Sequence, residues 1–486
     1  MKNNSTSVLN NMFWKFAERF STQAASLIVS VVLARILDPN SYGLIATVTI
    51  FISIANVFVT DGFSSALIQR KSVDCLDYSS VLNFNIIFSM FLYVILFICA
   101  PAIGNYYGEG YELVTPVLRV LGVRLVINSI NSIQQAYLSR NMLFKKAFAP
   151  TFIGTVLSGV IGIILANCGF GVWALVAQNL SNSFISTVIL QIIIHKYPGI
   201  RISFYRLQNL LAFGFKILLT GLLMSGFEQI RAFLIGKKYT SADLAYYDRG
   251  NQFPSVLINN VNSTISAVMF PKLSQLQDSK SELKDLMKKS IRFSSFILFP
   301  LMFGLAAISE TLVLVLLTDK WIACVPLLQL FCLYYIFMPI HSANMQVIKA
   351  LGRSDIYMRL ECIKKAIELV VLIVTIRISV KWMVVGMVAC SILFVFVNAY
   401  PNKKLLNYSI KEQISDISPS IGMSIVMFLP VYAINYIPMN NILKLVLQVI
   451  VGLAFYFIIS IVTKNSEFMY AKELVLGKSK LFLKVK

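Results

Sequence analysis

Residues 78–103 read YSSVLNFNIIFSMFLYVILFICAPAI, a run without a single Asp, Glu, Lys or Arg. The hydrocarbon core of a bilayer takes about 20 predominantly apolar residues of helix. In lipid every backbone N–H and C=O must be satisfied, which leaves helices or closed barrels. Barrel strands are segments of about ten residues of alternating polarity, so an unbroken run of this length is a membrane helix. Thirteen further stretches read the same way: 12–37, 43–67, 114–138, 148–167, 171–194, 211–235, 250–270, 293–318, 322–348, 357–378, 382–400, 418–438 and 441–462. The first carries Lys15, Glu18 and Arg19 near its start and no small-residue cleavage site after it, so it reads as a retained helix. The expectation is an all-α polytopic membrane protein of about fourteen spans.

Composition agrees. The 486 residues are 57% hydrophobic and 13% charged, against about 25% charged in an ordinary soluble domain. A net charge of +21 would point to nucleic acid in a soluble protein. Here most Lys and Arg sit in alternate short connections and at the two ends, where a membrane protein keeps them on its cytoplasmic side. The reading is a bacterial inner-membrane protein with both termini cytoplasmic and no nucleic-acid partner. No connection is long enough for a soluble domain; the largest are 196–210, 271–292 and 401–417. In the second, Leu273, Leu276, Leu283, Leu286 and Met287 share one side, which predicts an amphipathic helix lying on membrane lipids. Residues 403–414 and the tail after Lys464 read alike.

The chemistry-bearing residues are few. Seven Cys show no C-x-x-C spacing and the two His, His195 and His341, are isolated, so neither metal nor redox chemistry is indicated and no cofactor is expected. No nucleotide loop, dinucleotide fingerprint or nucleophile elbow occurs. Active transport would therefore draw on a proton or sodium gradient or on substrate flux.

Charges inside spans are costly and face a partner, a bundle interior or a wet cavity. Arg124 falls near the middle of the fourth stretch, Arg119 nearer its outer end, and Lys216, Glu228 and Arg231 lie along the seventh. Glu310 and Glu368 fall in the ninth and eleventh. Glu228 and Arg231, three apart, can pair on one helix face. Lys216 and Arg119 can snorkel. Arg124 either pairs with Glu310 or Glu368, leaving these acids as charge partners or ion-coupling groups, or lines a cavity. In a cavity, Arg124, Arg119, Arg231 and Lys216, with polar groups such as Asn128 and Gln178, would attract an anionic head group, because a guanidinium fork suits phosphate and carboxylate oxygens.

Several segments carry a family resemblance: VVLARILDPNSYGLIA at 31–46, GFSSALIQRK at 62–71, GFGVWALVAQ at 169–178, FGFK at 213–216, AYYDRGNQFPSVLINNVNSTISAVMFPKLSQLQ at 245–277 and ALGRSDIYMRLE at 350–361. In these the chain resembles the polysaccharide transporter family of lipid-linked oligosaccharide flippases, of the O-antigen and colanic-acid exporter type, within the multidrug/oligosaccharidyl-lipid/polysaccharide exporter superfamily. The resemblance implies two six-helix lobes, 12–195 and 211–400, two added helices over 418–462 and a cytoplasmic tail at 463–486. It implies a non-enzymatic flippase that works by alternating access, moving undecaprenyl-pyrophosphate-linked oligosaccharide to the periplasmic leaflet, and it admits association with polysaccharide polymerase machinery. Within the first hairpin Pro39 and Gly43 punctuate the turn, and Arg35 sits at the membrane surface. The competing reading is an ion-coupled multidrug exporter of the same fold.

Overall fold

The structure is a computed structural model. It describes residues 2–60, 64, 67, 73–194 and 202–469, apart from the side chains of 2–13, 15, 16, 209–214, 216, 217, 267, 268, 270 and 271. Among the described residues the regular structure is helical, with no strand. In order the helices are α1 (Lys2–Ile36), α2 (Pro39–Thr60), α3 (Cys75–Tyr107), α4 (Val114–Leu121), α5 (Arg124–Arg140), α6 (Phe144–Asn167), α7 (Val172–Ile194), α8 (Phe204–Lys238) and α9 (Ser241–Gln275). There follow α10 (Lys280–Leu316), a 3-10 turn (Asp319–Cys324), α11 (Val325–Tyr335), α12 (Met338–Ala350), α13 (Ser354–Thr375), α14 (Val380–Leu406), α15 (Ile410–Ala433) and α16 (Asn441–Val462).

Among the described residues twelve helical stretches are long and apolar enough to cross a membrane. The fold is all-α and polytopic. The two expected spans outside that set, 250–270 and 357–378, are nonetheless helical, within α9 and α13. Their polarity sets them apart: α13 carries Asp355, Arg359, Glu361, Lys364, Lys365 and Glu368 within 22 residues.

The chain forms two compact units, residues 1–245 and 246–486. In the first, α4 and α5 make one expected span with a turn at Gly122–Val123, and a core of Leu44, Val48, Val117, Leu118, Leu121 and Leu125 closes around them. In the second, a turn at Ile336–Phe337 divides α11 from α12 in the same manner. Pro339 in the first turn of α12 explains that break, since it has no N–H to return to the preceding turn.

The two amphipathic connections do not lie on lipid. Residues 271–292 are the end of α9, a turn, and the opening turns of α10. Leu273, Leu283 and Met287 are fully buried beside Ile340, Val347 and Ile417. Residues 403–414 likewise span the end of α14, a left-handed Asn407 and the start of α15, with Leu406 and Tyr408 buried in the same core. A Ser409–Glu412 capping box sets the start of α15. An amphipathic period marks a face that needs cover; here protein supplies it. The tail beyond residue 469 lies outside the described residues.

Gly43 has a different role from the expected one. The turn between α1 and α2 is closed before it, and Gly43 lies within α2. A Cβ there would stand 1.7 Å from the Ser241 carbonyl oxygen, so the glycine is required by close approach of the start of α9. Ser241 Oγ fixes that approach by donating to Asn40 Oδ1 at 2.8 Å.

Candidate functional site, a charged cavity in the second unit

A cavity of about 810 Å³ opens within the second unit, walled by α9, α11, α12, α13 and α14. Its charged wall comes from α13. Glu361, Lys364, Lys365 and Glu368 follow an i, i+3, i+4, i+7 spacing, which sets all four on one helical face. Lys364 Nζ bonds Glu361 Oε1 at 2.6 Å, and Lys365 Nζ bonds Glu368 Oε2 at 2.9 Å. Lys364 begins about 15 Å along the helix at 1.5 Å per residue, far from either end. Charge at that depth in a helix packed against two spans of membrane-crossing length marks a candidate functional site.

The facing wall comes from α12 and α14. His341 Nε2 meets Ser391 Oγ at 3.3 Å, and Asn398 Nδ2 lies 3.1 Å from Nδ1. Ser391 gives its own proton to the Tyr334 carbonyl at 2.9 Å, so it accepts from Nε2–H while Asn398 donates to Nδ1. That arrangement fits a neutral imidazole pinned in place, a structural part of the wall. Gln346 Nε2 donates to Ser266 Oγ at 2.6 Å and Ser342 Oγ at 2.9 Å. The Gln346 and Asn398 amide oxygens have no hydrogen-bond partner. Lys349 Nζ lies over the Tyr357 ring, 4.3 Å from its centroid. Among the described residues no group of His, Cys, Asp and Glu could hold a metal ion.

Of the residues nominated from sequence, Glu368 lines this cavity, paired with Lys365 on its own helix. Arg124 belongs to the first unit, where Nε donates to Ser183 Oγ at 2.9 Å and Nη1 to Asn179 Oδ1 at 3.4 Å. Arg119 turns elsewhere: its Nε donates to the Phe97 carbonyl at 3.3 Å and its guanidinium lies over the Phe97 ring. Asn128 donates to Asn56 Oδ1 at 3.0 Å. Gln178 packs on α6, where a Cβ at Gly162 would come within 2.8 Å of it. Arg231 is half-buried on α8, and Glu228 and Glu310 are exposed. The Lys216 side chain and His195 lie outside the described residues.

Much of the intramembrane Asn and Gln joins helices. Asn131 bonds Thr187 at 3.1 Å and Gln134 bonds Gln191 at 2.8 Å, both from α5 to α7. Asn344 accepts from Asn402 at 2.7 Å and donates to Gln413 at 2.8 Å in a buried knot. The sequence reading missed Lys349, Glu361, Lys364 and Lys365. The signal was present in the charged i, i+3, i+4, i+7 face of a helix otherwise long enough to span.

Residues 32–326 match the family model described as "Polysaccharide biosynthesis protein". The chain belongs to that family. It is 24% identical over 353 residues to the succinoglycan biosynthesis transport protein ExoT of Rhizobium meliloti, covering 73% of this chain and 71% of that one. It is 22% identical over 342 residues to the lipopolysaccharide biosynthesis protein WzxC of Escherichia coli, covering 70% and 69%. Among solved structures, the inward closed conformation of the lipid II flippase MurJ aligns with a TM-score of 0.75 at 16% identity, over 93% of this chain and 99% of that chain. The inward-facing conformation of a multidrug resistance MATE family transporter of the MOP superfamily aligns at 0.59, over 80% and 96%, also at 16% identity. The fold is shared with both. This family member is a multi-pass membrane protein.

Proposed function

We propose that this chain carries lipid-linked oligosaccharide across the bacterial inner membrane during polysaccharide export, without catalysing a reaction on it. The observation that carries the reading is the α13 cavity, a polar and charged chamber of about 810 Å³ among membrane helices. A lipid-linked glycan needs such a chamber for its hydrophilic head while its prenyl chain stays in lipid. Membership of the polysaccharide biosynthesis family and the transport relative for succinoglycan support it. We take the carrier to be undecaprenyl pyrophosphate, the route to be alternating access, and both termini to be cytoplasmic. Arg124, with Arg119, Arg231, Lys216, Asn128 and Gln178, is proposed to serve the head group along its path. Glu228, Glu310 and Glu368 are the acids through which a proton or sodium gradient would act.

The test is leaflet-resolved analysis of radiolabelled carrier lipid in a deletion strain from which redundant flippases have been removed. The expected result is repeat units accumulating in the cytoplasmic leaflet and loss of surface polysaccharide. Unchanged delivery of repeat units to the periplasm, with heightened sensitivity to cationic drugs, would transfer the chain to the multidrug class.

A further inference from the structure

We infer that the cavity beside α13 selects for a carboxylated sugar, anchored by Lys349, rather than for the pyrophosphate of the carrier. This rests on the transport reading above and names the part of the substrate that the second unit reads.

Charge comes first. The wall holds three lysines, Lys349, Lys364 and Lys365, against two glutamates, Glu361 and Glu368. Each glutamate is bonded to a lysine three residues away, and His341 is held neutral by its two neighbours. Lys349 is set apart, because the contact that defines its head group is the Tyr357 ring face, not a carboxylate. The wall thus carries one cation in excess, which a single carboxylate neutralises. A pyrophosphate diester brings two negative charges and would leave the chamber negative.

Hydrogen bonding separates the two ligands further. The Gln346 and Asn398 amide oxygens at the wall lack donors, and unsatisfied buried acceptors carry a penalty that a partner removes. A pyrophosphate diester has only acceptor oxygens and cannot supply that partner. Sugar hydroxyls can. Lys349 lies three residues beyond Gln346 on α12, so a carboxylate at the lysine keeps the ring hydroxyls of the same sugar near the amide. A cavity of this size falls within the range of ligand sites, about 300–1,000 Å³.

The experiment uses the full chain in lipid nanodiscs and equilibrium dialysis with labelled glucuronosyl-maltose, a trisaccharide with one carboxylate, labelled maltotriose and unlabelled pyrophosphate as competitor. Glucuronosyl-maltose is expected to bind about ten- to a hundredfold more tightly than maltotriose, the span of one charge-assisted hydrogen bond. Pyrophosphate should not displace it. Lys349→Gln should remove the preference, so that the two sugars bind alike, and Lys349→Arg should keep it. A thermal unfolding midpoint equal to wild type shows that the variant is folded. Equal affinity for the two sugars, displacement by pyrophosphate, an undiminished preference in K349Q or no saturable binding would each overturn the inference. Failure of the transport reading looks different: a deletion strain would export polysaccharide normally while purified protein still bound glucuronosyl-maltose through Lys349.

Discussion

Replacing Arg124 by Ala separates a transport role from a packing role. In the structure its guanidinium reaches α7 through one good hydrogen bond, to Ser183 at 2.9 Å, and one long one, to Asn179 at 3.4 Å. Hydrogen bonds to a charged group contribute about 1.5–3 kcal/mol each, and the long contact is worth little. Both partners are neutral, so truncation strands no buried acid, and the stability loss should stay near 1–3 kcal/mol. If the charge also meets an anionic head group, the same substitution removes one charge-assisted contact to substrate, about one to two decades in affinity. The assay is polysaccharide export per inserted molecule, with abundance measured in parallel. Arg124→Ala should lower specific export ten- to a hundredfold, and Arg124→Lys should keep part of it, because the charge persists without the planar fork. Ser183→Ala, which leaves the charge but loosens its aim, should fall between. Normal specific export with abundance alone reduced would show Arg124 to be a strut between α5 and α7.

Three further outcomes follow from the geometry. Gly43→Ala should destabilise the chain by about 3 kcal/mol or more, read as loss of inserted protein, because the new methyl would occupy the Ser241 backbone; abundance equal to wild type would contradict the close approach. Arg206 bridges Asp74 at 2.5 Å and Asp77 at 3.2 Å, and its hydrogen bond, helped by the Asp77 amide, pulls the Asp74 carboxyl down to about 2. The folded value lies below the usual value of about 3.9, so this stabilisation is present above about pH 4 and is lost as pH falls toward 2. Thermal unfolding from pH 5 to 2 should therefore show a smaller acid-induced loss in Arg206→Gln than in wild type, and parallel curves would refute the link. Cysteines introduced at the exposed positions Ser281 and Lys404 should react only from the cytoplasm, and periplasmic labelling of either would overturn the proposed orientation.

The fold was legible because burial in lipid asks one question of a segment, whether about 20 residues can stay out of water. Residues 78–103 answer it alone, and even the polar α9 and α13 kept enough apolar length to be read as helices. The turn at Gly122–Val123 was not legible, for no proline marks it and the hydropathy runs straight through. The faces over 271–292 and 403–414 were read correctly as apolar and wrongly as lipid-facing. Period tells which residues share a side, and only the tertiary core, with Ile340 and Ile417 waiting for Leu283 and Met287, tells what lies against it. Polar groups within spans pose the same question: Asn131 and Gln134 bond α7, and sequence does not distinguish a neighbouring helix from a wet wall.

The cavity shows which sequence measure mattered. Depth along the chain gathered Arg119 and Arg124 because both fall in the fourth stretch, but depth ignores direction. Five residues at about 100° each turn a helix by some 500°, leaving the two side chains about 140° apart even before the turn at 122–123 intervenes. The structure accordingly sends one to Phe97 on α3 and the other to Ser183 on α7. The same arithmetic applied to Glu361 and Glu368 gives seven residues and a residual angle of about 20°, with Lys364 and Lys365 between them on that face. All four of these charges line the cavity. In a membrane transporter an ionisable residue acts on what it faces, so angular coincidence of charges, more than their depth, is the sequence signal that locates a chamber.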